Sequence, residues 1–163
     1  MIDAEIQELA TRVLAACRAR QWMVATAESC TGGLVAGALT EIAGSSDVVD
    51  RGFVTYSNAA KMALVGVPEA TLAAYGAVSR QTAEAMAQGA LARAPVDLAV
   101  AITGIAGPGG GSAEKPIGLV HFAAAAKNGR LIHREKRYGD IGRSEIRRAS
   151  VIEALTMLID LAA

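Results

Sequence analysis

The alternation of short apolar runs with helix-period segments constrains the fold of this chain more than any other feature of its sequence. Three apolar runs, at residues 22–27, 98–102 and 119–126, have the length of buried strands. Each is far shorter than the ~18 apolar residues that a membrane span requires. Residues 2–20 and 144–161 instead place apolar side chains every three or four positions, as amphipathic helices do. The alternation predicts an α/β protein that does not enter a membrane.

The order of the predicted elements narrows the α/β class further. Helices separate the first three strands in the order α-β-α-β-α-α-β-β-β-α, with the second strand at residues 52–56. Strands joined through helices are usually parallel and covered on both faces. The last two strands flank Asn128 and Gly129, a strong signal for an antiparallel hairpin. We therefore predict a single three-layer α/β/α domain with a mixed β-sheet, extending over residues 1–163.

Composition excludes several classes of protein. Sixteen basic and sixteen acidic residues give a formal net charge of zero, which argues against a generally basic nucleic-acid-binding protein. With two cysteines and two histidines, neither a disulfide scaffold nor a Cys/His zinc site is expected. The chain begins with acidic residues where a secretory signal would be basic, so a cytoplasmic protein with reduced thiols is expected.

The first candidate site is the segment ESCTGG at residues 28–33, between a predicted strand and a predicted helix. It places the Ser29 hydroxyl and the Cys30 thiol beside a helix N-terminus, where free amides favour an anion or a developing oxyanion. The alternative is that Ser29 and Thr31 cap the helix, while the glycines allow close packing. Cys30 is expected to be a buried small residue.

The second candidate site joins Tyr56, at a predicted strand end, to Lys61, one turn into the next helix, which Ser57 or Asn58 caps. A lysine beside a serine can act as a general base if burial lowers its pKa. The alternative is a solvated helix residue, as most lysines are.

The third candidate site is a glycine loop with five glycines within residues 104–112, directly after Thr103. Such a loop allows close approach of its backbone to a ligand, although a flexible connection is the alternative. It lacks the closing Gly-Lys-Ser/Thr of a P-loop and does not open a helix as a dinucleotide fingerprint does.

A basic segment at residues 127–148 carries eight Lys or Arg and three Asp or Glu, a net charge of +5. Arg143 and Arg147 are four positions apart and share one helix face. The segment is either a clamp for phosphate or carboxylate, or a solvated face that covers an edge strand.

Taken together, these segments resemble the CinA C-terminal domain family, over about residues 5–160. The resemblance is carried by residues 26–33, 43–46, 51–58, 61, 76–79, 103–108 and 114–118. It implies a stand-alone amidohydrolase that converts nicotinamide mononucleotide to nicotinate mononucleotide and ammonia, because the chain is too short for the N-terminal domain of full-length CinA proteins. It further implies a serine amidase that needs no metal, no cofactor and no histidine–aspartate pair.

The resemblance also implies the roles of individual residues. Ser29 is the nucleophile, Lys61 is its base, and Tyr56 completes the catalytic set. A family arginine falls on Arg143 or Arg147, and the spacing of residues 139–143 leaves the choice open. The implied substrate-binding residues are Cys30, Thr31, Gly32, Gly33, Thr103, Gly104, Gly107, Arg143 and Arg147.

The same residues also allow other functions. One alternative is a non-catalytic module that binds nucleotide or phosphate and acts in competence or the response to DNA damage. Another is nucleic-acid binding through the basic segment, which the low aromatic content makes the weaker candidate. A homodimer is expected because small apolar chains with a mixed sheet often pair.

Overall fold

The sheet is built around three parallel strands, as the predicted crossovers require. The computed structural model describes residues 2–163, and in that range the strands are β1 (Val24–Glu28), β2 (Val49–Val54), β3 (Leu98–Gly104), β4 (Leu119–Ala126) and β5 (Leu131–Arg137). Their order in the sheet is β2-β1-β3-β4-β5. β1 pairs in parallel with β2 and β3, whereas β4 runs antiparallel to β3 and to β5. The mixed sheet and the hairpin at Asn128 and Gly129 are therefore confirmed.

Helices cover both faces of this sheet. Within residues 2–163 the helices are α1 (Ala4–Arg20), α2 (Leu34–Thr40), α3 (Asn58–Val65), α4 (Glu69–Tyr75), α5 (Arg80–Arg93) and α6 (Arg143–Ala162), with a short 3-10 turn at Ser45–Asp47. α1, α2 and α6 pack on one face, and α3, α4 and α5 pack on the other. The predicted three-layer α/β/α architecture is confirmed. None of these helices is long and apolar enough to cross a membrane.

The two faces of the sheet carry side chains of different size. The face toward α1 and α6 presents large residues such as Ile102 and Phe122. The face toward α5 presents mainly alanines, among them Ala99, Ala101 and Ala123. Because alanine adds only a methyl group to the sheet surface, α5 can lie close to it. The alanine-rich composition thus serves the packing of one layer.

The second strand lies upstream of its predicted position at residues 52–56. β2 begins at Val49 and ends at Val54, so Tyr56 lies two residues beyond the strand. β2 is an edge strand, and its Asp50 and Arg51 are exposed. These charges interrupt the apolar pattern, which is why the sequence pattern misplaced the strand.

The two helices that border the site begin at serine caps. Ser57 caps α3 by accepting a hydrogen bond from the Ala60 amide at 3.0 Å. Ser79 caps α5 by accepting one from the Thr82 amide at 3.1 Å. The caps fix where α3 and α5 start relative to the carboxyl ends of β2 and β1, and so they fix the first turn of each helix beside the site.

A close contact between α5 and α3 provides a test of this packing. A Cβ on Gly89 would lie 1.7 Å from the Val65 carbonyl oxygen, whereas a Cβ on Gly37 of α2 would meet nothing within 4 Å. Gly89→Ala must push α5 away from α3, and we expect it to lower the free energy of unfolding by about 1–3 kcal/mol. Gly37→Ala, the matched control, should raise it by about 0.5–1 kcal/mol through helix propensity. Urea unfolding of both variants measures the difference, and equal effects would contradict the contact.

Candidate active site

The proposed nucleophile follows directly after a central strand. Ser29 comes one residue after β1 ends, and its amide donates to the Ile102 carbonyl of β3 at 2.9 Å. Its side-chain hydroxyl accepts a hydrogen bond from Lys61 Nζ at 3.0 Å. Ser29 is therefore held by the sheet through its backbone and by α3 through its side chain.

Lys61 is buried, with only 1% of its surface exposed. Besides the Ser29 hydroxyl, its amine donates to the Thr55 carbonyl at 2.8 Å. The lysine ion pairs within residues 2–163 involve Lys127 and Lys136, not Lys61. Burial lowers the pKa of Lys61 below its ordinary value, because the charged amine loses hydration that no carboxylate replaces. The alternative of a solvated lysine is excluded by this burial.

The buried Glu28 side chain binds backbone amides at the start of α2 that were expected to bind a ligand. Its carboxylate accepts from the Val35 amide at 2.9 Å and from the Ala36 amide at 3.0 Å. The expectation that the first amides of α2 point outward to an anion is therefore wrong, because a side chain from β1 caps them from within. Among residues 2–163, the amides of Cys30 and Thr31 have no protein acceptor.

A cavity of about 190 Å³ opens at this edge of the sheet. Seven residues predicted for the site line it, namely Ser29, Cys30, Tyr56, Lys61, Thr103, Gly104 and Arg143. Four lining residues were missed as site residues, namely Asn58, Ala77, Val78 and Ala106. All four lie within segments that carry the family resemblance, and three of them have apolar side chains without distinctive chemistry. Their position within those segments is the signal that could have found them.

Arg143 spans the mouth of this cavity. One guanidinium nitrogen donates to the Tyr56 hydroxyl at 2.9 Å, and the other donates to the Gly107 carbonyl at 2.8 Å. Tyr56 is 61% exposed. Arg143 thus joins the segment after β2 to the glycine loop, and it presents a cation at the entrance.

Arg147 lies one turn further along α6 and does not line the cavity. Its Nε donates to the Cys30 carbonyl at 3.1 Å, and its Nη2 donates to the Thr31 carbonyl at 3.4 Å. The two arginines share a helix face, as their spacing predicted. Only Arg143 faces the space that a substrate would enter.

Thr103 and the glycine loop shape the cavity through close contacts with neighbouring segments. The Thr103 hydroxyl donates to the Ala77 carbonyl at 2.8 Å and holds that segment against β3. Gly104 has no room for a side chain, since a Cβ there would lie 2.7 Å from Val120 Cγ2. Gly107 does not line the cavity, but its carbonyl anchors Arg143.

In the remainder of the turn, at residues 30–33, Cys30 and Thr31 are buried whereas Gly32 is exposed. The Cys30 thiol is buried, and burial raises its pKa to about 12, so the thiol stays protonated at neutral pH. The Thr31 side chain is fully buried, and its hydroxyl has no partner within residues 2–163. Gly32 and Gly33 adopt positive φ angles of 57° and 102°, which a residue with a side chain rarely adopts. Thr31, Gly32 and Gly33 lie outside the cavity lining.

The basic segment is neutralised largely by residues from other parts of the chain. Arg134 pairs with Glu153 and Asp160 of α6, and Arg148 pairs with Asp3 and Glu5 at the start of α1. The net charge of +5 within the segment is therefore not a continuous basic patch. Of its arginines, Arg143 is the one that lines the cavity.

Comparison with known proteins gives matches over nearly the whole chain. The CinA C-terminal domain family matches residues 6–162. The nicotinamide-nucleotide amidohydrolase PncC of Escherichia coli (strain K12) is 52% identical over 159 residues, which cover 97% of this chain and 95% of that protein. A CinA-like protein of Synechococcus is 51% identical over 95% of this chain but only 37% of its own length. The crystal structure of competence/damage inducible protein CihA from Agrobacterium tumefaciens has a TM-score of 0.98 and 62% identity, and the match covers 100% of this chain and 99% of that one.

The buried amine predicts a pH dependence of stability. Because the pKa of Lys61 is lowered in the folded state, the unfolded chain binds a proton that the folded chain does not at pH values between that lowered pKa and the ordinary value of 10.5. Wild-type stability should therefore rise with pH toward 10.5 relative to that of Lys61→Met. Urea unfolding between pH 6 and pH 9 measures the difference in slope. Lys127→Met, at a side chain that is 57% exposed, is the control, and the same slope in both variants would count against a neutral Lys61.

Proposed function

The chain belongs to the CinA C-terminal domain family, and we propose that it hydrolyses the carboxamide of nicotinamide mononucleotide with Ser29 as nucleophile and Lys61 as base. The products are nicotinate mononucleotide and ammonia. The observation that carries this proposal is the 3.0 Å contact between the buried Lys61 amine and the Ser29 hydroxyl. The relatives named nicotinamide-nucleotide amidohydrolase, which match this chain over nearly its whole length, supply the substrate.

The first step forms an acyl-enzyme. The neutral Lys61 amine takes the proton of the Ser29 hydroxyl as Ser29 Oγ attacks the carboxamide carbon. The electron pair of the C=O bond moves to the oxygen, and backbone amides of the turn stabilise the resulting negative charge. Return of that electron pair breaks the C–N bond, and Lys61 gives its proton to the departing nitrogen, which leaves as ammonia.

The second step returns the enzyme to its starting state. Lys61, neutral again, removes a proton from a water molecule that attacks the ester carbon. Collapse of this second oxyanion breaks the bond to Ser29 Oγ, and the proton on Lys61 returns to the serine. The Tyr56 hydroxyl is the second candidate proton donor for the leaving ammonia, but the contact of Lys61 with Ser29 favours Lys61.

Arg143 and Tyr56 bind the remainder of the substrate in this proposal. The substrate carries a pyridinium ring, a ribose and a phosphate in addition to its carboxamide. The exposed Tyr56 ring lies at the mouth of the cavity, and Arg143 holds its guanidinium between Tyr56 and the glycine loop. A planar guanidinium suits a phosphate group, so we assign the phosphate to Arg143.

A non-catalytic nucleotide-binding module would have no use for the Lys61–Ser29 pair. Removing an amine from water lowers stability unless the amine is deprotonated or paired, so a buried lysine aimed at a serine favours catalysis over binding alone. The cytoplasmic location, the homodimer and the lack of a nucleic-acid partner stay predictions from the sequence.

The nucleophile can be tested against its neighbour. Ser29→Ala removes the attacking oxygen, and we expect ammonia release from nicotinamide mononucleotide to fall by at least about a thousandfold. Cys30→Ala should retain most of the activity, because the protonated thiol takes no part in the reaction. If Ser29→Ala kept its turnover and Cys30→Ala lost it, the roles assigned to these two residues would be wrong.

The assignment of the phosphate to Arg143 predicts a change in substrate preference. Arg143→Met should lower kcat/KM for nicotinamide mononucleotide by about 10- to 100-fold, the effect of one hydrogen bond to a charged group. It should change kcat/KM for nicotinamide riboside, which lacks the phosphate, much less. Ammonia release from both compounds gives the ratio. An equal loss on both would assign Arg143 to the orientation of Tyr56 instead.

A further inference from the structure

Arg147 binds the backbone of residues 29–33, the nucleophile turn, from outside the cavity. Its guanidinium donates to two successive carbonyls, those of Cys30 and Thr31. The side chain is also close to Gly32, where a Cβ would lie 3.4 Å from Nη2. The turn and α6 are therefore joined through backbone atoms of the two residues that follow Ser29.

Because the peptide bond is planar, the hydrogen bonds of Arg147 to these carbonyls also fix the directions of the amides that follow them. In a trans peptide the C=O and the following N–H point in opposite directions. Because the Cys30 carbonyl faces Arg147, the Thr31 amide points away from Arg147. The Thr31 carbonyl fixes the next peptide in the same way, and the Gly32 amide in that peptide donates to the Ser29 carbonyl at 3.0 Å.

Several amides near this position are already occupied. Glu28 takes the amides of Val35 and Ala36, and the Thr31 carbonyl takes the Leu34 amide at 3.0 Å. Within residues 2–163, those of Cys30, Thr31 and Gly33 have no protein acceptor, and of these only the Thr31 amide shares a peptide with a carbonyl that Arg147 holds. The Thr31 amide lies only two residues after the nucleophile. An amide with no protein acceptor beside an attacking oxygen has the placement of an oxyanion donor.

We propose that Arg147 is a positioning residue that turns the Thr31 amide toward the oxyanion formed when Ser29 attacks a carbonyl carbon. This inference rests on the proposed function, because it requires Ser29 to be the nucleophile. It gives Arg147 a role different from that of Arg143, although both lie on one face of α6. Arg147 acts on the rate of the chemical step through the peptide between Cys30 and Thr31, and it touches no part of the substrate.

The test compares Arg147→Met and Arg147→Lys with Arg148→Met. Arg148 is the adjacent arginine and pairs with Asp3 and Glu5, away from the turn, so its variant controls for the loss of one charge from α6. For Arg147→Met we expect kcat to fall by about 10- to 100-fold with KM close to that of the wild type, because an oxyanion donor acts in the transition state. Arg147→Lys, which can reach one carbonyl but not hold two, should lie between Arg147→Met and the wild type. The inflection of the pH–rate profile should not move, since the contact of Lys61 with Ser29 is unchanged.

A second readout does not depend on the nucleotide. A fluorophosphonate reacts with an activated serine through a negatively charged oxygen, and intact-mass measurement follows its attachment to Ser29. We expect Arg147→Met to slow this reaction by about the same factor as kcat. If far-UV circular dichroism shows that Arg147→Met does not fold, kcat and the labelling rate are both measured on Arg147→Lys instead.

The outcomes separate this inference from the proposed function. A rise in KM with unchanged kcat would make Arg147 a substrate ligand and overturn the positioning role. Unchanged kcat and labelling rate in both Arg147 variants would overturn it as well. If the wild type were labelled at Ser29 but released no ammonia from nicotinamide mononucleotide, the proposed substrate would be wrong, and the labelling rates would still decide the role of Arg147. A wild type with neither activity would overturn both.

Discussion

The burial of one lysine amine determines the arrangement of the whole site. Lys61 reaches Ser29 only because α3 starts at the Ser57 cap and packs against the sheet, so that the side chain extends under the end of β1. Its polar partners are a hydroxyl and a carbonyl, neither of which carries a charge. A partner carboxylate would raise the pKa of the amine and keep it protonated at neutral pH, so that it could not accept a proton from Ser29. The site therefore depends on keeping negative charge away from Lys61 as much as on placing Lys61 beside Ser29.

Glu28 shows how this is achieved although a carboxylate lies next to the nucleophile in the sequence. Its side chain is fully buried and bonds to the first amides of α2, where the helix dipole favours negative charge. Its backbone carbonyl accepts from the Thr55 amide at 2.7 Å, and the Thr55 carbonyl in turn holds Lys61. One residue thus anchors α2 through its side chain and the lysine through its backbone.

The structural features that the sequence predicted correctly are those set by residues close together in the chain. Helix periodicity, the cap at Ser57 and the hairpin at Asn128 and Gly129 depend on residues close in the chain, and the structure confirms them. The contact between Ser29 and Lys61 joins residues 32 positions apart, so only the family resemblance could pair them. The role of Glu28 had no signal, because a glutamate at the end of an apolar strand does not show where its carboxylate turns.

The distinction between the two arginines depends on geometry that spacing cannot resolve. Arg143 and Arg147 have the same charge and lie on the same helix face, and both satisfy a pattern that calls for a guanidinium near the start of α6. Arg143, at the first position of α6, extends past the turn to Tyr56 and Gly107, whereas Arg147 meets the carbonyls of Cys30 and Thr31. One helical turn therefore separates a cation that lines the cavity from one that binds the backbone of the turn.

Opposite charges hold the nucleophile turn from its two sides. The Glu28 carboxylate binds amides beyond the turn, and the Arg147 guanidinium binds carbonyls within it. Both charges are directed at backbone dipoles, so the Glu28 carboxylate does not neutralise Lys61. A charged group that binds dipoles loses little orientational freedom when the substrate arrives, and the turn enters the reaction already in its final conformation. In the proposed mechanism, a lysine base therefore needs no orienting carboxylate, because the backbone of the turn supplies the order that a histidine–aspartate pair provides in other serine hydrolases.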